Sequence, residues 1–111
     1  MASITEHDVT YNADGGVGTR KVHYIATGPV DGPLIIFVHG WPAIASTWKV
    51  QLGTFASLGF RAVAPDMPGH GKSDAHKEIS EYSIERLVAG LLAVLGDTGR
   101  DQAVWVAHDW G

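Results

Sequence analysis

Three short apolar runs constrain the fold of this chain more than any other feature of its sequence. They lie in "PLIIFVHG" (33–40), "FRAVAPD" (60–66) and "AVWVAH" (103–108), and none of them alternates with polar residues. Continuous runs of this length are typical of strands that are covered on both faces, as in a parallel sheet. With a helix predicted between each pair, the order strand, helix, strand, helix, strand indicates an α/β fold with right-handed crossovers.

Two helices are predicted between these runs. The first carries apolar side chains at helical spacing before Gly59: Trp48, Leu52, Phe55 and Leu58. The second is expected to begin after Ser83, a suitable N-cap, and to end before Gly96 or Gly99. Its apolar residues follow the same helical pattern: Ile84, Leu87, Val88, Leu91, Leu92 and Leu95. We interpret Trp48 and Phe55, together with Trp105 in the last apolar run, as core residues.

The first part of the chain has a different pattern, in which apolar and polar residues alternate. Val9 and Tyr11 precede the turn-forming segment Asp14-Gly15-Gly16, and Val22 and Tyr24 follow it. Alternation around a glycine-rich turn predicts a half-buried antiparallel hairpin. The expected fold is therefore a β-hairpin followed by βαβαβ, in one domain with a mostly parallel sheet.

Charge and hydrophobicity exclude several classes of partner. The chain has 8 basic and 12 acidic residues, a net charge of -4, and no basic run that would neutralise phosphates, so we expect no nucleic-acid partner. Its longest apolar runs, such as Leu34–Val38, have five residues, far short of the ~20 that cross a bilayer. The start "MASITEHDVT" lacks the pattern of a signal peptide. We therefore expect no membrane association and a cytoplasmic location.

Metal and cofactor sites are also not expected. The chain has no cysteine, which excludes a disulfide framework and a cysteine nucleophile. Its six histidines show no compact ligand spacing. The segment "PGHGKSD" (68–74) lacks the spacing of a phosphate-binding loop, and we interpret it as an ordinary loop.

Unusual residues follow each of the three predicted buried strands. "HGWP" (39–42) follows the first, Asp66 and "PGHGKSD" follow the second, and "HDWG" (108–111) follows the third. Ligands of open α/β sheets bind beyond the carboxyl ends of the strands. The sequence therefore predicts that these loops converge on one site.

The last of these segments has the spacing of a nucleophile elbow. Ala107 and Gly111 are the small residues that such a tight strand-to-helix turn needs around its nucleophile, which here is Asp109. A carboxylate is suited to displacement at a saturated carbon, which leaves an alkyl ester on the enzyme. An epoxide or an alkyl halide is therefore the expected small-molecule substrate. Cleaving the ester requires donors to an oxyanion, and the backbone N–H of Trp110 with one from "HGWP" would supply them.

Taken together, these motifs resemble those of the α/β-hydrolase family, and within it those of the epoxide hydrolases. "FVHGWP" resembles their HGxP motif, "PDMPGHGKSD" the segment between their second and third core strands, and "HDWG" their aspartate elbow. The resemblance covers roughly residues 20–111. It implies that Asp109 is the nucleophile and that the N–H groups of Trp41 and Trp110 form the oxyanion hole and contact substrate. The residues expected to have structural roles at the site are His39, Gly40, Pro42 and His108.

The resemblance also implies groups that have no match in the chain. They are a water-activating histidine, its acidic partner and two tyrosines in a helical cap, all expected downstream of Gly111. We therefore expect residues 1–111 to be the N-terminal portion of a single α/β-hydrolase core domain. Alone they are expected to be inactive and not to persist as a monomer, with the C-terminal remainder supplied by a following segment or by a second chain.

Two alternatives to an epoxide hydrolase stay open. The elbow "HDWG" also resembles that of haloalkane dehalogenases, in which the indole of Trp110 would hold the halide. Those enzymes often have asparagine at the position of Trp41, and the missing side-chain amide favours an epoxide here. The other alternative is a non-catalytic α/β-hydrolase-like module in which Asp109 is only a turn residue that caps a following helix.

Overall fold

The structure is a computed structural model, and it describes residues 4–12, 19–39, 45–67, 73 and 84–107. The strands are β1 (Thr5–Asn12), β2 (Thr19–Thr27), β3 (Leu34–Val38), β4 (Arg61–Pro65) and β5 (Val104–Ala107). The helices are α1 (Lys49–Ser57), which continues from a 3₁₀ turn at Ala45–Trp48, and α2 (Ile84–Asp97). The predicted order of a hairpin followed by βαβαβ is confirmed.

All five strands form one sheet in the order β1-β2-β4-β3-β5. β2 pairs antiparallel with β1 and with β4, whereas β3 pairs parallel with β4 and with β5. Four strands therefore run in one direction and β2 runs in the other. The prediction of a mostly parallel sheet is confirmed. The reversed strand β2 is the second strand of the hairpin, and its other side pairs with β4.

The sheet has a hydrophobic core on each face. On one face, Val94 and Leu95 of α2 pack in a cluster with Ile36 of β3. On the other face, Leu52 of α1 packs in a cluster with Phe37 of β3. All five residues of β3 are buried, because successive side chains enter opposite cores. The uninterrupted apolar run is thus explained by helices on both sides.

The hairpin is half-buried only in its first strand. Residues 22–27 of β2 are all buried, because β2 lies between β1 and β4 and both of its faces are covered. Tyr24 belongs to the core beneath α2, and Ile25 belongs to the core beneath α1. The prediction of a half-buried strand is therefore wrong for β2. The predicted turn at 14–16 lies outside the described residues.

Trp105, which we predicted to be a core residue, is exposed, and so are three residues of the predicted apolar helix patterns: Leu58, Val88 and Leu92. Trp105 is 41% exposed in β5, which pairs with β3 alone among the described strands, so helix α2 and the neighbouring strands do not cover it. Leu58 is 68% exposed, because α1 ends at Ser57 and Leu58 lies in the following turn. The core prediction for Trp105 was therefore wrong, because an apolar pattern alone does not show where an element ends or which of its faces is covered.

The predicted helix ends agree with the structure where it describes them. Helix α1 ends two residues before Gly59, and α2 ends two residues before Gly99. The N–H of Gly99 donates to the carbonyl of Gly96 at 3.0 Å, which closes the last turn of α2. The predicted N-cap Ser83 lies outside the described residues.

The indole of Trp48 packs against the core beneath α1, with its ring 5.1 Å from that of Phe37. Its Nε1 is buried and has no hydrogen-bond partner among the described residues. A buried donor left unsatisfied costs about 1–3 kcal/mol. This cost opposes the stabilisation that the packing of the large ring provides.

Trp48→Phe is therefore expected to change the free energy of unfolding by less than about 1 kcal/mol, because the lost ring area is offset by removal of the unsatisfied N–H. Trp48→Ala loses the whole ring and should cost about 3–5 kcal/mol. Denaturant unfolding of the two variants checks this. A similar loss in both would show that the indole N–H is satisfied in solution.

Candidate active site at the carboxyl edge of the sheet

The three parallel strands end at the same level of the sheet. Val38, the last residue of β3, is the register partner of Ala107, the last residue of β5. On the other side of β3, Ile36 is the partner of Val63, and β4 ends two residues further along at Pro65. The three segments that carry the predicted site residues therefore begin at one edge, as expected for an open α/β sheet.

Most of the predicted site residues follow these strand ends directly. His39 lies among the described residues, whereas the others lie outside them: Gly40, Trp41, Pro42, His108, Asp109 and Trp110. In the sequence, Trp41 is three residues beyond β3 and Asp109 is two residues beyond β5. The roles of these residues stay predictions. The structure describes the ends of β3, β4 and β5, from which their segments continue.

His39 is 2% exposed and connects the end of β3 to the segment after β4. Its Nε2 accepts a hydrogen bond from the backbone N–H of Met67 at 3.0 Å. Because a backbone N–H can only donate, this nitrogen must carry a lone pair, and a proton on a neutral ring lies on Nδ1. The contact fixes the orientation of the first residue in "HGWP".

Ser73 is a buried residue at this edge that the sequence did not single out. Its hydroxyl accepts a hydrogen bond from the backbone N–H of His23 at 2.8 Å and donates one to the carbonyl of Asp66 at 2.5 Å. Asp66 is itself buried, and its N–H donates to the carbonyl of His23 at 2.7 Å. The serine thus connects β2 with the residue that follows β4.

The sequence predicts an ordinary loop for "PGHGKSD", because its spacing does not match that of a phosphate-binding loop. The partners of Ser73 are backbone groups, 50 and 7 residues away in the sequence. No pattern of side chains identifies such contacts.

The imidazole of His23 lies on the hairpin next to this network. Its Nδ1 is 2.8 Å from a carboxylate oxygen of Asp8, and its Nε2 is 3.1 Å from one of Glu6. Asp8 is the register partner of His23 across the β1–β2 pair. The two contacts fasten β1 to the strand whose backbone Ser73 binds.

A second polar cluster surrounds a cavity of about 170 Å³ that is lined in part by the first residues of β3 and β4, Leu34 and Arg61. The Tyr24 hydroxyl donates a short hydrogen bond to the Asp97 carboxylate, and the ring of His7 stacks on Tyr24 at 4.9 Å. Burial, and then the adjacent Asp97 carboxylate, raise the pKa of Tyr24 above its usual value. These contacts join the end of α2 to the hairpin.

The arginines around this cavity are bound to backbone carbonyls. A guanidinium N–H of Arg61 donates to the carbonyl of Gly28 at 2.8 Å. One nitrogen of Arg100 donates to the carbonyls of Val30 and Gly32 at 2.9 and 2.7 Å. The arrangement secures the segment between β2 and β3.

The described ranges of the chain contain neither a metal-binding cluster nor a membrane-spanning helix. No group of three or more histidine, aspartate or glutamate side chains in these ranges is arranged to bind a metal ion. Neither of the described helices has the length and hydrophobicity needed to cross a membrane.

Comparison with known proteins identifies what the chain is similar to. Residues 33–111 match a family model described as the alpha/beta hydrolase fold. The chain is 40% identical over 111 residues to epoxide hydrolase A of Mycobacterium tuberculosis, covering 100% of this chain and 33% of that protein. It is 42% identical over 91 residues to epoxide hydrolase 1 of Caenorhabditis elegans, covering 82% of this chain and 22% of that protein.

Solved structures show the same similarity. The crystal structure of epoxide hydrolase VrEH1 from Vigna radiata matches with a TM-score of 0.81 and 37% identity, over 96% of this chain and 32% of that one. Epoxide hydrolase A from Mycobacterium thermoresistibile matches with a TM-score of 0.82 and 32% identity, again over 96% and 32%. The chain thus spans a third or less of the length of each of these proteins.

Proposed function

The chain belongs to the α/β-hydrolase fold family, and on this premise we propose that the complete protein hydrolyses epoxides to vicinal diols through an ester on Asp109. The observation that carries the proposal is the 40% identity to an epoxide hydrolase over all 111 residues. It is supported by the shared level of the β3 and β5 ends, at Val38 and Ala107. The segments with the predicted oxyanion donor and nucleophile depart from these adjacent ends.

In the first step, a carboxylate oxygen of Asp109 attacks one carbon of the epoxide ring. A bond forms between this oxygen and the carbon while the ring C–O bond breaks. The released oxygen takes a proton from an acid, for which the resemblance implies the cap tyrosines. Release of ring strain favours the step, and the product is a hydroxyalkyl ester of the enzyme.

In the second step, water attacks the carbonyl carbon of this ester. A histidine with an acidic partner removes a proton from the water, as the resemblance implies, and negative charge develops on the carbonyl oxygen of Asp109. The backbone N–H groups of Trp41 and Trp110 donate to this oxygen. One such donor is worth about 10²–10³ in kcat. Collapse of the intermediate breaks the bond to the diol oxygen, which takes the proton held by the histidine. The carboxylic acid of Asp109 then returns a proton to the tyrosine that lost one in the first step, and the carboxylate is restored.

The resemblance implies that the base, its acidic partner and the tyrosines lie downstream of Gly111. We propose that residues 1–111 form the N-terminal portion of the core domain, and the coverage supports this, because relatives that match nearly the whole chain are about three times as long as it is. The remainder would come from a following segment or a second chain. The 111 residues alone are expected to lack turnover.

The names of the relatives favour an epoxide over a halide as the substrate of this protein. Each of the four proteins compared above is named an epoxide hydrolase. This agrees with the absence of an asparagine at the position of Trp41, where dehalogenases often have their second halide donor.

A single turnover of the complete protein in heavy-oxygen water tests the mechanism. Because water attacks the ester carbonyl, one heavy oxygen is expected in the Asp109 carboxylate and none in the first diol. Trypsin cleaves after Arg100, so Asp101 lies in the same peptide as Asp109 and is the internal control in fragment spectra. Label in the diol with none in Asp109 would show direct attack by water and rule out the ester.

The same preparation tests the substrate class. A panel of terminal and internal epoxides is expected to yield diols, and a matched panel of primary haloalkanes is expected to release no halide. Halide release without diol formation would identify a dehalogenase. If neither panel reacts, the non-catalytic alternative is correct and the proposal fails.

A further inference from the structure

The peptide group between Asp66 and Met67 is held by two side chains from different parts of the chain. Its carbonyl accepts from the hydroxyl of Ser73, and its N–H donates to Nε2 of His39. All four residues are 9% exposed or less. One buried amide therefore connects Ser73 with the residues that follow β3 and β4.

Ser73 also interrupts the pairing of β2 with β4. In the antiparallel register Tyr24 is opposite Pro65, so His23 is opposite Asp66 one step further. In an antiparallel ladder, every second pair of opposed residues exchanges two direct backbone hydrogen bonds. His23 and Asp66 are such a pair, because the Asp66 N–H donates to the His23 carbonyl. Here one bond is direct, from Asp66 N–H to the His23 carbonyl at 2.7 Å. The other is replaced by two bonds in series through the Ser73 hydroxyl.

This inserted hydroxyl holds the two backbones apart at the end of β4. A direct N–H···O bond would bring nitrogen and oxygen to ~2.9 Å, closer than two bonds in series allow. Loss of the hydroxyl removes both of these bonds. A direct bond between the His23 N–H and the Asp66 carbonyl would then replace them, and closing that distance would displace the Asp66–Met67 peptide.

Displacement of this peptide would be transmitted to His39, because the Met67 N–H is the donor to its Nε2. His39 precedes Gly40 and Trp41 in the chain, and the N–H of Trp41 is the oxyanion donor proposed above. We infer that Ser73 is a positioning residue: its hydroxyl sets the Asp66–Met67 peptide, and through His39 it sets the oxyanion donor. The inference rests on the proposed function, because it specifies how that site is held.

The expected kinetic signature follows from where the oxyanion forms. Hydrolysis of the ester passes through a tetrahedral oxyanion, whereas substrate binding does not require that donor. Loss of the Ser73 hydroxyl should therefore lower kcat and KM together and leave kcat/KM, which reports formation of the ester, nearly unchanged. The alkyl-enzyme ester should accumulate, because its breakdown is slowed more than its formation.

The experiment compares Ser73→Ala and Ser73→Thr in the complete protein, with Ser57→Ala as the matched control. Ser57 is exposed on α1, and its hydroxyl also donates to a backbone carbonyl, that of Thr54. Ser73→Ala is expected to lower kcat about 10–100-fold, less than loss of a whole donor, with KM falling alongside so that kcat/KM stays within about threefold. Mass spectrometry should show the ester at steady state. Ser73→Thr keeps the hydroxyl and should restore most of kcat, and Ser57→Ala should match the original protein.

A second readout does not depend on activity. The ¹⁵N chemical shifts of His39 report which ring nitrogen carries the proton, and the contact with Met67 predicts an acceptor-type Nε2. Ser73→Ala should move these shifts, and Ser57→Ala should not. Unchanged shifts and unchanged kcat in Ser73→Ala would overturn the inference.

The two proposals fail in different ways. If the original protein forms no diol from any epoxide, the proposed function fails, and the His39 shifts alone decide the role of Ser73. If Ser73→Ala unfolds, Ser73→Thr decides it: restored stability with kcat still low and no ester accumulation would contradict the positioning role.

Discussion

Asp109→Ala is expected to abolish diol formation in the complete protein, with a loss of about 10⁴-fold or more in kcat, the scale seen when a catalytic nucleophile is removed. The reason is that no other group in the proposed mechanism can form the ester. Product assays on a substrate of the original enzyme measure the loss. No ester should be detected by mass spectrometry, and the protein should still bind epoxide.

Asp101→Asn is the matched control for this substitution. Asp101 is an exposed aspartate that precedes β5, whereas Asp109 follows it, so the two lie beyond opposite ends of one strand. The control should retain full activity. If Asp109 were only a helix-capping turn residue, its substitution would instead cost about 1 kcal/mol of stability and leave most of the activity, which would contradict the nucleophile assignment.

Gly28→Ala is expected to destabilise the fold by about 3 kcal/mol or more, from a strained backbone together with a steric clash. Gly28 follows β2 with φ +93°, a conformation that residues with a Cβ rarely adopt. An added Cβ would lie 2.1 Å from the carbonyl oxygen of Phe60 and 3.1 Å from Cβ of Ala56. Relief would require movement of backbone at the junction of α1 and β4. Denaturant unfolding of the complete protein measures the effect.

Two other glycines separate the contributions to this loss. Gly59 has φ +97° but open space around its Cβ position, so Gly59→Ala should cost only the ~1–2 kcal/mol of the backbone conformation. Gly53 lies within helix α1 with nothing near its Cβ position, so Gly53→Ala should stabilise by about 0.5–1 kcal/mol. Equal losses for Gly28→Ala and Gly59→Ala would show that the clash is relieved at no cost.

The spacing of apolar residues predicted an element correctly where a segment followed one clear pattern. The apolar run 34–38 is strand β3, and it is continuous because both faces of the strand are buried. The helical spacing of 84–95 predicted helix α2. The same reasoning failed for the burial of β2 and for Trp105. Whether a face is covered depends on which elements are neighbours, and residues close in the sequence do not specify this.

The candidate site was predictable to a different extent. The small residues around Asp109 and the order of the three motifs led to a family that the comparison with known proteins then confirmed. The roles of Asp109, Trp41 and Trp110 remain proposals. Ser73 was missed because its hydroxyl binds backbone groups, and such groups are the same in every residue type.

By itself, the sequence determined the kind of layers, the order of the elements and the edge at which the site residues follow the strands. These depend on periodicity and on short-range turn chemistry, which each segment carries within itself. Tertiary structure alone decided that β4 lies between β2 and β3, and that the Ser73 hydroxyl separates the backbones of His23 and Asp66. The physical reason is that burial and backbone hydrogen bonding join groups far apart in the chain, so their partners exist only once the sheet has assembled.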